Sequence, residues 1–515
     1  MPTFKVNIKW QKEKYTDVEC NTDESPETFK AMLFSLTGVP PDRQKVMMPG
    51  KILGDSSFDG IKLKDGATIM MMGSAEVVPE QKAASEQKKE DKVVVKDSQE
   101  LLPIGLNNLG NTCYMNAVVQ VLYTVHELRA TLKIIEKMPA TSDLALPKQL
   151  CQIYNQLGSS DRSVIPISFV STVHRLFPQF AVRQNGGENP KADSGFGSLI
   201  AGIYDGGFQQ QDANEFWMSL MRTLQSASIS ETAIASVSNL PDSLGKTGGW
   251  NPIDRFFTGM FKCSLKCVEN NEETASSFVE TFNQLSCFIN QDVKYLHTGL
   301  RNSFETTLTK HSESLGKDAE YKKTNCISRL PAFLSIQFVR FFYKEKEKIN
   351  AKILKNVAFP MTLDLYEFCT QELKQKLEPM RERSLQEKER AVFAAPKSKK
   401  PGAKEDKGPD ANEKPELFEP YWFEDDLGSN NSGQYELQAV LTHQGRSSNS
   451  GHYVGWAKHK GDWYKFDDDT VSHVTEDQIK ALAGGGDWHC AYVLLYGPER
   501  IPKVPMAKEE TPMEL

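Results

Sequence analysis

A polar segment rich in Lys, Glu, Gln and Ser runs from residue 75 to residue 101 and divides the chain into a short and a long part. Such a composition buries too little apolar surface to offset the entropy cost of ordering, so we predict a flexible linker. Residues 1–74 then form one domain and residues 102–499 a larger one, followed by a tail at 500–515. The hydrophobic (39%) and charged (25%) fractions are ordinary for globular proteins, which argues against global disorder.

The first domain begins with strict alternation, since Phe4, Val6, Ile8 and Trp10 share one face of a predicted strand. Pro26 follows a serine that suits a helix N-cap, and Gly38 is a typical residue just past a helix end. The remaining predicted elements are a strand at 15–20, a helix at 26–37 and strands at 45–48 and 67–72. This order of elements indicates a β-grasp fold.

Cys113 ends a polar, Gly-containing loop and is followed by an apolar run from Ala117 to Leu122. A helix beginning at this cysteine would point unpaired N–H groups at the sulfur and favour a thiolate, which is the nucleophilic form. Three asparagines precede it, at 107, 108 and 111, and their amides could donate hydrogen bonds to an oxyanion. The alternative is a buried structural cysteine, and this segment by itself supports both interpretations equally.

The C-terminal part supplies candidates for a base and a carboxylate. A predicted strand at 435–443 ends in His443, a Gly/Ser-rich loop follows, and a second strand starts at His452 directly after Gly451. Fifteen residues later come Asp467, Asp468 and Asp469, which a hairpin would bring near the imidazole. Cys, His and Asp are the residues of a thiol hydrolase.

Two segments of the first domain, 44–53 and 63–69, resemble the third-strand and last-strand regions of ubiquitin-like domains. The resemblance covers the whole domain but ends in Met72-Gly73-Ser74 instead of a terminal Gly-Gly, and the chain continues. We therefore expect a fixed docking domain rather than a conjugatable modifier.

Four segments of the second domain, in the same order along the chain, resemble the ubiquitin-specific protease family: 105–117, 209–216, 330–341 and 435–496. The fold class that this implies is α+β, with an N-terminal β-grasp ubiquitin-like domain followed by a papain-like cysteine protease domain. The implied activity is that of a thiol-dependent deubiquitinase.

The resemblance also implies site residues. Cys113 corresponds to the family's nucleophile, His452 to its general base, Asp467 to its orienting carboxylate and Asn108 to its oxyanion-hole asparagine. Sequence spacing does not separate Asp467 from Asp468. His443 is the main competing histidine, and the family pattern favours His452.

We expect no metal and no other cofactor. Cys263 and Cys267 are the only close cysteine pair, whereas a structural zinc needs four ligands at suitable spacing. The net charge of −7 argues against a nucleic-acid partner, and the absence of an 18-residue apolar run argues against a membrane-spanning segment.

The combination of both domains resembles the proteasome-associated members of the family. It implies that the chain hydrolyses isopeptide bonds at the C-terminal glycine of ubiquitin, trimming and recycling ubiquitin from proteasome substrates. The implied partners are ubiquitin, polyubiquitinated proteins and the 26S proteasome regulatory particle, bound through the ubiquitin-like domain. The implied location is the cytoplasm, with the nucleus as a second compartment. The alternative is a regulatory scaffold of the proteasome that binds ubiquitin without cleaving it.

A charged insertion is predicted at about 374–415, with a helical first half and a mobile second half, exposed to solvent. Two short segments, 342–348 and 445–450, resemble loops that cover the active-site cleft in this family. We expect them to be displaced when ubiquitin or the proteasome binds.

Overall fold

The structure, a computed structural model, describes residues 3–72 with short gaps, 102–184, 207–344, 349–394, 417–447, 450–486 and 488–503. The chain divides into two compact units, residues 1–99 and 100–515, and each is described by itself. The predicted linker at 75–101 lies outside the described residues.

The first unit is a mixed five-stranded sheet with helix α1 (Pro26–Thr37) packed on one face. Its strands are β1 (Thr3–Trp10), β2 (Glu13–Asn21), β3 (Lys45–Met48), β4 (Lys51–Ile52) and β5 (Thr68–Met72). Their order is β2-β1-β5-β3-β4, and β1 runs parallel to β5. The alternation of the first strand is confirmed as a core pattern, because Val6 and Ile8 are fully buried. The unit has the predicted β-grasp fold.

The second unit starts with a helical layer. Its helices are α2 (Cys113–Tyr123), α3 (His126–Lys137), α4 (Ala145–Ser159), α5 (Ile167–Leu176), α6 (Ala213–Gln225), α7 (Glu231–Ala235) and α8 (Pro252–Phe256). The residues of α2 from Cys113 to Leu122 are all buried, and the two polar side chains among them, Asn116 and Gln120, donate hydrogen bonds to the backbone carbonyls of Asn107 and Ile104.

The remainder is mainly β structure. The strands are β6 (Gly259–Cys267), β7 (Ser276–Phe282), β8 (Leu285–Phe288), β9 (Glu305–Ser312), β10 (Lys317–Arg329), β11 (Leu334–Val339), β12 (Phe341–Lys344), β13 (Ile349–Lys352), β14 (Thr362–Asp364), β15 (Gln434–Ser447), β16 (Ser450–His459), β17 (Asp462–Asp467), β18 (Thr470–Val474) and β19 (Cys490–Pro498). Helices α9 (Leu296–Phe304), α10 (Gln371–Ala394) and α11 (Glu476–Lys480) lie between them in the chain.

The strands form two larger sheets and a hairpin. An eight-stranded sheet has the order β18-β17-β16-β15-β19-β11-β8, with β14 paired to β15, and a four-stranded sheet has the order β7-β6-β10-β9. Strands β12 and β13 form the separate hairpin. None of the helices in the described part of the chain is long and apolar enough to span a membrane.

Helix α2 lies directly against strand β16. A Cβ atom at Gly455 would lie 3.3 Å from the carbonyl oxygen of Ala117 and 3.6 Å from Cβ of Gln120, so glycine permits this close approach. The contact brings the start of α2 beside the start of β16, and thus Cys113 toward His452.

Helix α10 differs from the predicted solvent-exposed insertion. Leu377 and Ser384 are buried, and Arg381 donates to both carboxylate oxygens of Asp364. One face of this helix is therefore packed against the domain, and the first half of the insertion is part of the folded structure. Residues 395–416 lie outside the described part.

The chain also stays packed on the domain beyond residue 499. The N–H of Glu419 donates to the carbonyl of Ile501 at 2.8 Å, and the N–H of Lys503 donates to the carbonyl of Leu417 at 2.8 Å. Ile501 is buried. The start of the predicted tail at 500–515 is thus held by backbone pairing that sequence periodicity does not reveal.

Arg340, just after β11, is fully buried and joins several strands. Its guanidinium donates to the carbonyl oxygens of Ala491 (2.7 Å), Lys355 (2.8 Å), Ala483 (3.0 Å) and Ile353 (3.1 Å). Burial lowers the pKa of this guanidinium, and the four acceptors compensate for the water it has lost. The side chain ties the base of the β12–β13 hairpin to β19.

We expect Arg340→Ala to lower the free energy of unfolding by at least about 3 kcal/mol, because it leaves a cavity and four buried carbonyls with lost donors. Differential scanning calorimetry of the full chain measures the loss. The matched control is Arg301→Ala, whose exposed ion pair with Glu367 should contribute at most about 1 kcal/mol. Equal effects of the two substitutions would contradict this role of Arg340.

Candidate active site

Cys113 is the first residue of α2 and is buried. Two donors point at its sulfur: the side-chain Nε2 of Gln210 at 3.2 Å and the backbone N–H of Tyr453 at 3.5 Å. The helix N-terminus adds partial positive charge at the same place. These groups form a pocket that is suited to a negatively charged sulfur.

His452 lies between Cys113 and Asp467. Its Nε2 is 2.6 Å from Oδ1 of Asp467, at the end of β17, and the second oxygen of that carboxylate accepts from Nζ of Lys465 at 2.6 Å. The hydrogen bond from Asp467, followed by the one with Cys113, raises the pKa of His452 to about 10 against the opposing effect of burial. The same bond to His452 holds the pKa of Asp467 well below its usual range.

Asp468 faces a different set of partners. It adopts a left-handed backbone (φ 54°), and its carboxylate accepts from Nδ2 of Asn116 at 2.8 Å and from Nδ2 of Asn108 at 2.9 Å. Burial raises the pKa of Asp468, while the two amide donors oppose that rise. Its backbone carbonyl accepts from the N–H of Leu106 at 2.8 Å. Asp468 thus fastens the cysteine loop to the strand that carries Asp467.

Asn108 organises the turn before Cys113. Its Oδ1 accepts from the N–H groups of Gly110 at 3.0 Å and Thr112 at 3.1 Å, while its Nδ2 donates to Asp468. The amide of Asn111 is committed elsewhere, because it donates to the carbonyl of Phe208 at 2.8 Å. Of the asparagines before the cysteine, Asn108 is therefore the one fixed between the loop and the Asp468 turn.

Comparison with known proteins adds a second line of evidence. The sequence profile of the ubiquitin carboxyl-terminal hydrolase family matches residues 104–496, and that of the ubiquitin family matches residues 6–76. The chain belongs to the ubiquitin carboxyl-terminal hydrolase family. It is 41% identical to ubiquitin carboxyl-terminal hydrolase 14 of Caenorhabditis elegans over 97% of this chain and 94% of that protein.

Plant and yeast relatives match over nearly their whole length. The chain is 34% identical to ubiquitin carboxyl-terminal hydrolase 6 of Arabidopsis thaliana, over 96% of this chain and 98% of that protein. It is 35% identical to ubiquitin carboxyl-terminal hydrolase 6 of Schizosaccharomyces pombe, over 95% and 98% respectively. The expected family, fold class and enzyme type are thereby confirmed, and this hydrolase is a thiol-dependent deubiquitinating protease with an N-terminal ubiquitin-like domain.

The competing histidine of this hydrolase lies in a different environment. His443 is fully buried, its Nε2 lies 3.1 Å from the carbonyl oxygen of Ser450, and burial lowers its pKa to about 3. His489 is also buried, with its pKa lowered by burial to about 4. Both stay neutral at ordinary pH, whereas His452 is held in the charged form.

Gln210 lies in the segment 209–216, which resembles the family, but the resemblance assigns it no role. Asp212 is the N-cap of α6, since its side chain accepts from the N–H groups of Asn214 (2.8 Å) and Glu215 (3.0 Å). The hydroxyl of Tyr492 donates to the same carboxylate. This anchored cap places Gln210 at the cysteine sulfur. The sequence did contain a signal for this role, because Gln210 stands two residues before Asp212, a residue type that is favoured at helix N-caps.

The described residues of the two predicted covering segments belong to strands. Residues 342–344 lie in β12, residues 445–447 in β15 and residue 450 in β16. Residues 345–348 and 448–449 lie outside the described part of the chain. The covering role of these segments stays a prediction.

The cysteine pair considered for zinc lies on the buried face of β6, where the thiol of Cys263 contacts a carboxylate oxygen of Glu280 at 3.6 Å. Among the described residues, His452, Asp467 and Asp468 form a group that is close enough to share a metal ion. Their potential ligand atoms lie within 4.8 Å of one another. These residues are already engaged with one another and with the cysteine loop. The absence of a metal requirement stays a prediction.

Gly451 allows the hairpin to turn into His452. Its φ is 121°, and an added Cβ would lie 2.1 Å from the carbonyl oxygen of Gln444 and 2.8 Å from Nε2 of His443. Any side chain here must displace β16 next to His452. The position of the imidazole therefore depends on this glycine.

We expect Gly451→Ala to lower kcat/KM on a fluorogenic ubiquitin C-terminal amide by about tenfold to a hundredfold. A shift of the His452 imidazole by about 1 Å slows the reaction by this order, because the catalytic groups are no longer aligned. The control is Gly461→Ala in the β16–β17 turn, where φ is also positive (83°) but a Cβ meets no atom within 4 Å. Similar losses in both variants would show that backbone strain, rather than the position of His452, limits the rate.

Proposed function

We propose that this hydrolase removes ubiquitin from proteasome substrates, using Cys113 as nucleophile, His452 as acid and base, and Asp467 as the carboxylate that orients it. The observation that carries the proposal is the placement of His452, which is hydrogen-bonded to Asp467 and to Cys113 at the start of α2. A thiolate beside an imidazolium, with a carboxylate behind it, is the resting form of a cysteine protease.

In the first step the Cys113 thiolate attacks the carbonyl carbon of the C-terminal glycine of ubiquitin. His452 gives its proton to the departing lysine amine as the C–N bond breaks, leaving a thioester on Cys113. His452 then takes a proton from water, which attacks the thioester and releases ubiquitin with a free carboxylate. Asp467 remains ionised throughout and supports the imidazolium.

We assign Asn108 and neighbouring donors to the oxyanion of the tetrahedral intermediate. The Nδ2 group carries two N–H bonds. One donates to Asp468, which fixes the amide plane, and the other is free to donate to the developing oxyanion. Gln210 and the backbone N–H of Tyr453 bind the sulfur and keep it oriented for attack.

We further propose that the ubiquitin-like domain docks the chain on the 26S proteasome regulatory particle. Support comes from the exposed face of its sheet, where Met47 on β3 pairs directly with Met70 on β5. Their side chains are 39% and 46% exposed. Adjacent apolar side chains on a sheet face are suited to a protein partner.

Co-sedimentation of the full chain with 26S proteasomes tests the docking. A Met47→Glu, Met70→Glu double variant should lose co-sedimentation while retaining hydrolysis of the free ubiquitin amide. The control is Lys64→Glu, an exposed residue in the turn before β5. Unchanged co-sedimentation of the double variant, and of a chain that lacks residues 1–74, would overturn the docking proposal without affecting the proposed chemistry.

A location in the cytoplasm and nucleus, without a nucleic-acid or membrane partner, belongs to the same proposal. All nine cysteines are unpaired in the structure, which agrees with a reducing compartment. Fractionation of cells with an antibody against the native chain tests the location, and recovery from a secretory fraction would contradict it.

A further inference from the structure

A cavity of about 660 Å³ lies between α3, α4 and the loop 237–241. It is remote from the active site, because Tyr123, which lines it, is the last residue of α2 and Cys113 is the first. Eleven helical residues separate the two ends by about 15 Å. The volume is within the range of small-molecule binding sites.

One wall of the cavity is cationic. His126, Arg129 and Lys133 occupy positions i, i+3 and i+7 of α3 and therefore share a face. Burial is the main cause that lowers the pKa of His126. Glu127 opposes this shift, whereas the positive charges of Arg129, Lys133 and Arg500 lower the pKa further. The face presents two permanent charges, those of Arg129 and Lys133, to the cavity.

Arg129 has no counter-ion among the residues that the structure describes. Its guanidinium lies over the ring of Tyr123, 4.7 Å from the centroid, and its Nε is buried without a hydrogen-bond partner. Arginine offers five N–H donors in a fixed fork. A buried donor without an acceptor is energetically costly, so this group is poised for an anionic ligand.

Two acids lie near this wall, and each contacts another side chain. The Oε1 of Glu127 accepts from the hydroxyl of Tyr421 at 2.6 Å and from that of Ser243 at 3.4 Å. Glu136 lies beside the thiol of Cys151, whose pKa it raises after the larger effect of burial. Among the described residues that line the cavity there is no aspartate or glutamate.

The other walls provide polar and aromatic surface. Helix α4 contributes Tyr154, Asn155 and Ser159, and the loop contributes Ser238 and Asn239. These side chains suit a ring or polyol attached to the anion, since they combine flat surface with hydroxyl and amide groups.

We propose that this cavity binds a small organic phosphate. A phosphate dianion matches the guanidinium fork of Arg129, with Lys133 supplying the second charge, whereas a single carboxylate would leave one cation unpaired. The volume left beside the phosphate accommodates a nucleoside or a further phosphorylated ring. A nucleotide and an inositol phosphate share this chemistry and are distinguished by experiment.

Isothermal titration calorimetry of the full chain with ADP, inositol hexakisphosphate and inorganic pyrophosphate tests the proposal. We expect saturable binding at one site by at least one probe. Arg129→Gln and Lys133→Gln should each raise its Kd by about tenfold or more, because each removes a charged contact. The matched control is Lys137→Gln, an exposed lysine one turn beyond the cavity on the same helix, which should leave Kd unchanged.

Tighter binding of ADP would identify a nucleotide site, and tighter binding of inositol hexakisphosphate an inositol phosphate site. Because Lys133 is exposed, its variant decides the matter even where Arg129→Gln fails to fold. The proposal is overturned if no probe binds saturably up to about 1 mM, if Lys133→Gln and Lys137→Gln behave alike, or if a phosphoserine peptide binds more tightly than every small probe.

Discussion

Cys113→Ala should abolish hydrolysis of a fluorogenic ubiquitin C-terminal amide, lowering kcat by about 10⁴-fold or more. Without the sulfur no thioester can form, and only binding and oxyanion donors remain to assist water. Initial rates with and without 26S proteasomes measure the loss. Ubiquitin affinity should be retained, because the substitution removes a small buried side chain and leaves the surrounding helix intact.

The control for this experiment is Cys326→Ala, a partly exposed cysteine on β10. Its activity should equal that of the unmodified chain. More than about 1% residual activity in Cys113→Ala would contradict its assignment as nucleophile. If the unmodified chain were as inactive as Cys113→Ala under both conditions, the chain would act as a ubiquitin-binding scaffold rather than as an enzyme.

Asp467→Asn should lower kcat/KM by about 10²-fold to 10⁴-fold, because the imidazolium loses its carboxylate and the ring is no longer held in one orientation. The pH dependence should change as well. Asp467 is the largest cause of the raised pKa of His452, about 10, so its neutralisation lowers that pKa. The active pair requires a protonated imidazole, and the alkaline limb of the kcat/KM profile should therefore move to lower pH.

The matched variant is Asp468→Asn, which makes the same chemical change one residue further along the chain. Its carboxylate accepts from Asn108 and Asn116 and acts on His452 through charge without a hydrogen bond, so it should lower kcat and move the alkaline limb less than Asp467→Asn does. Profiles measured from about pH 6 to about pH 10.5 with the same amide separate the two effects. A shifted limb in Asp468→Asn with an unshifted limb in Asp467→Asn would reverse the two assignments.

Hydrophobic patterns within a single segment predicted correctly which residues of that segment form a strand or helix and face the core. The alternation that ends at Trp10 places every second residue in the core of β1, because side chains of a strand alternate between two faces. The apolar run after Cys113 likewise predicts that a buried helix starts at this residue, and α2 does. Helix α10 shows the limit, since its charged sequence does not reveal that Leu377 packs in the core.

The sequence by itself determined the β-grasp domain, the two-domain order, the family and the residue types needed for thiol chemistry. Only the tertiary structure decided that Asp467 faces His452 while Asp468 holds Asn108, because adjacent residues in a tight turn point in different directions. It also decided the contact of Gln210 with the sulfur and the gathering of cations beside Tyr123. Each depends on segments far apart in the chain, and their meeting is set by packing rather than by spacing.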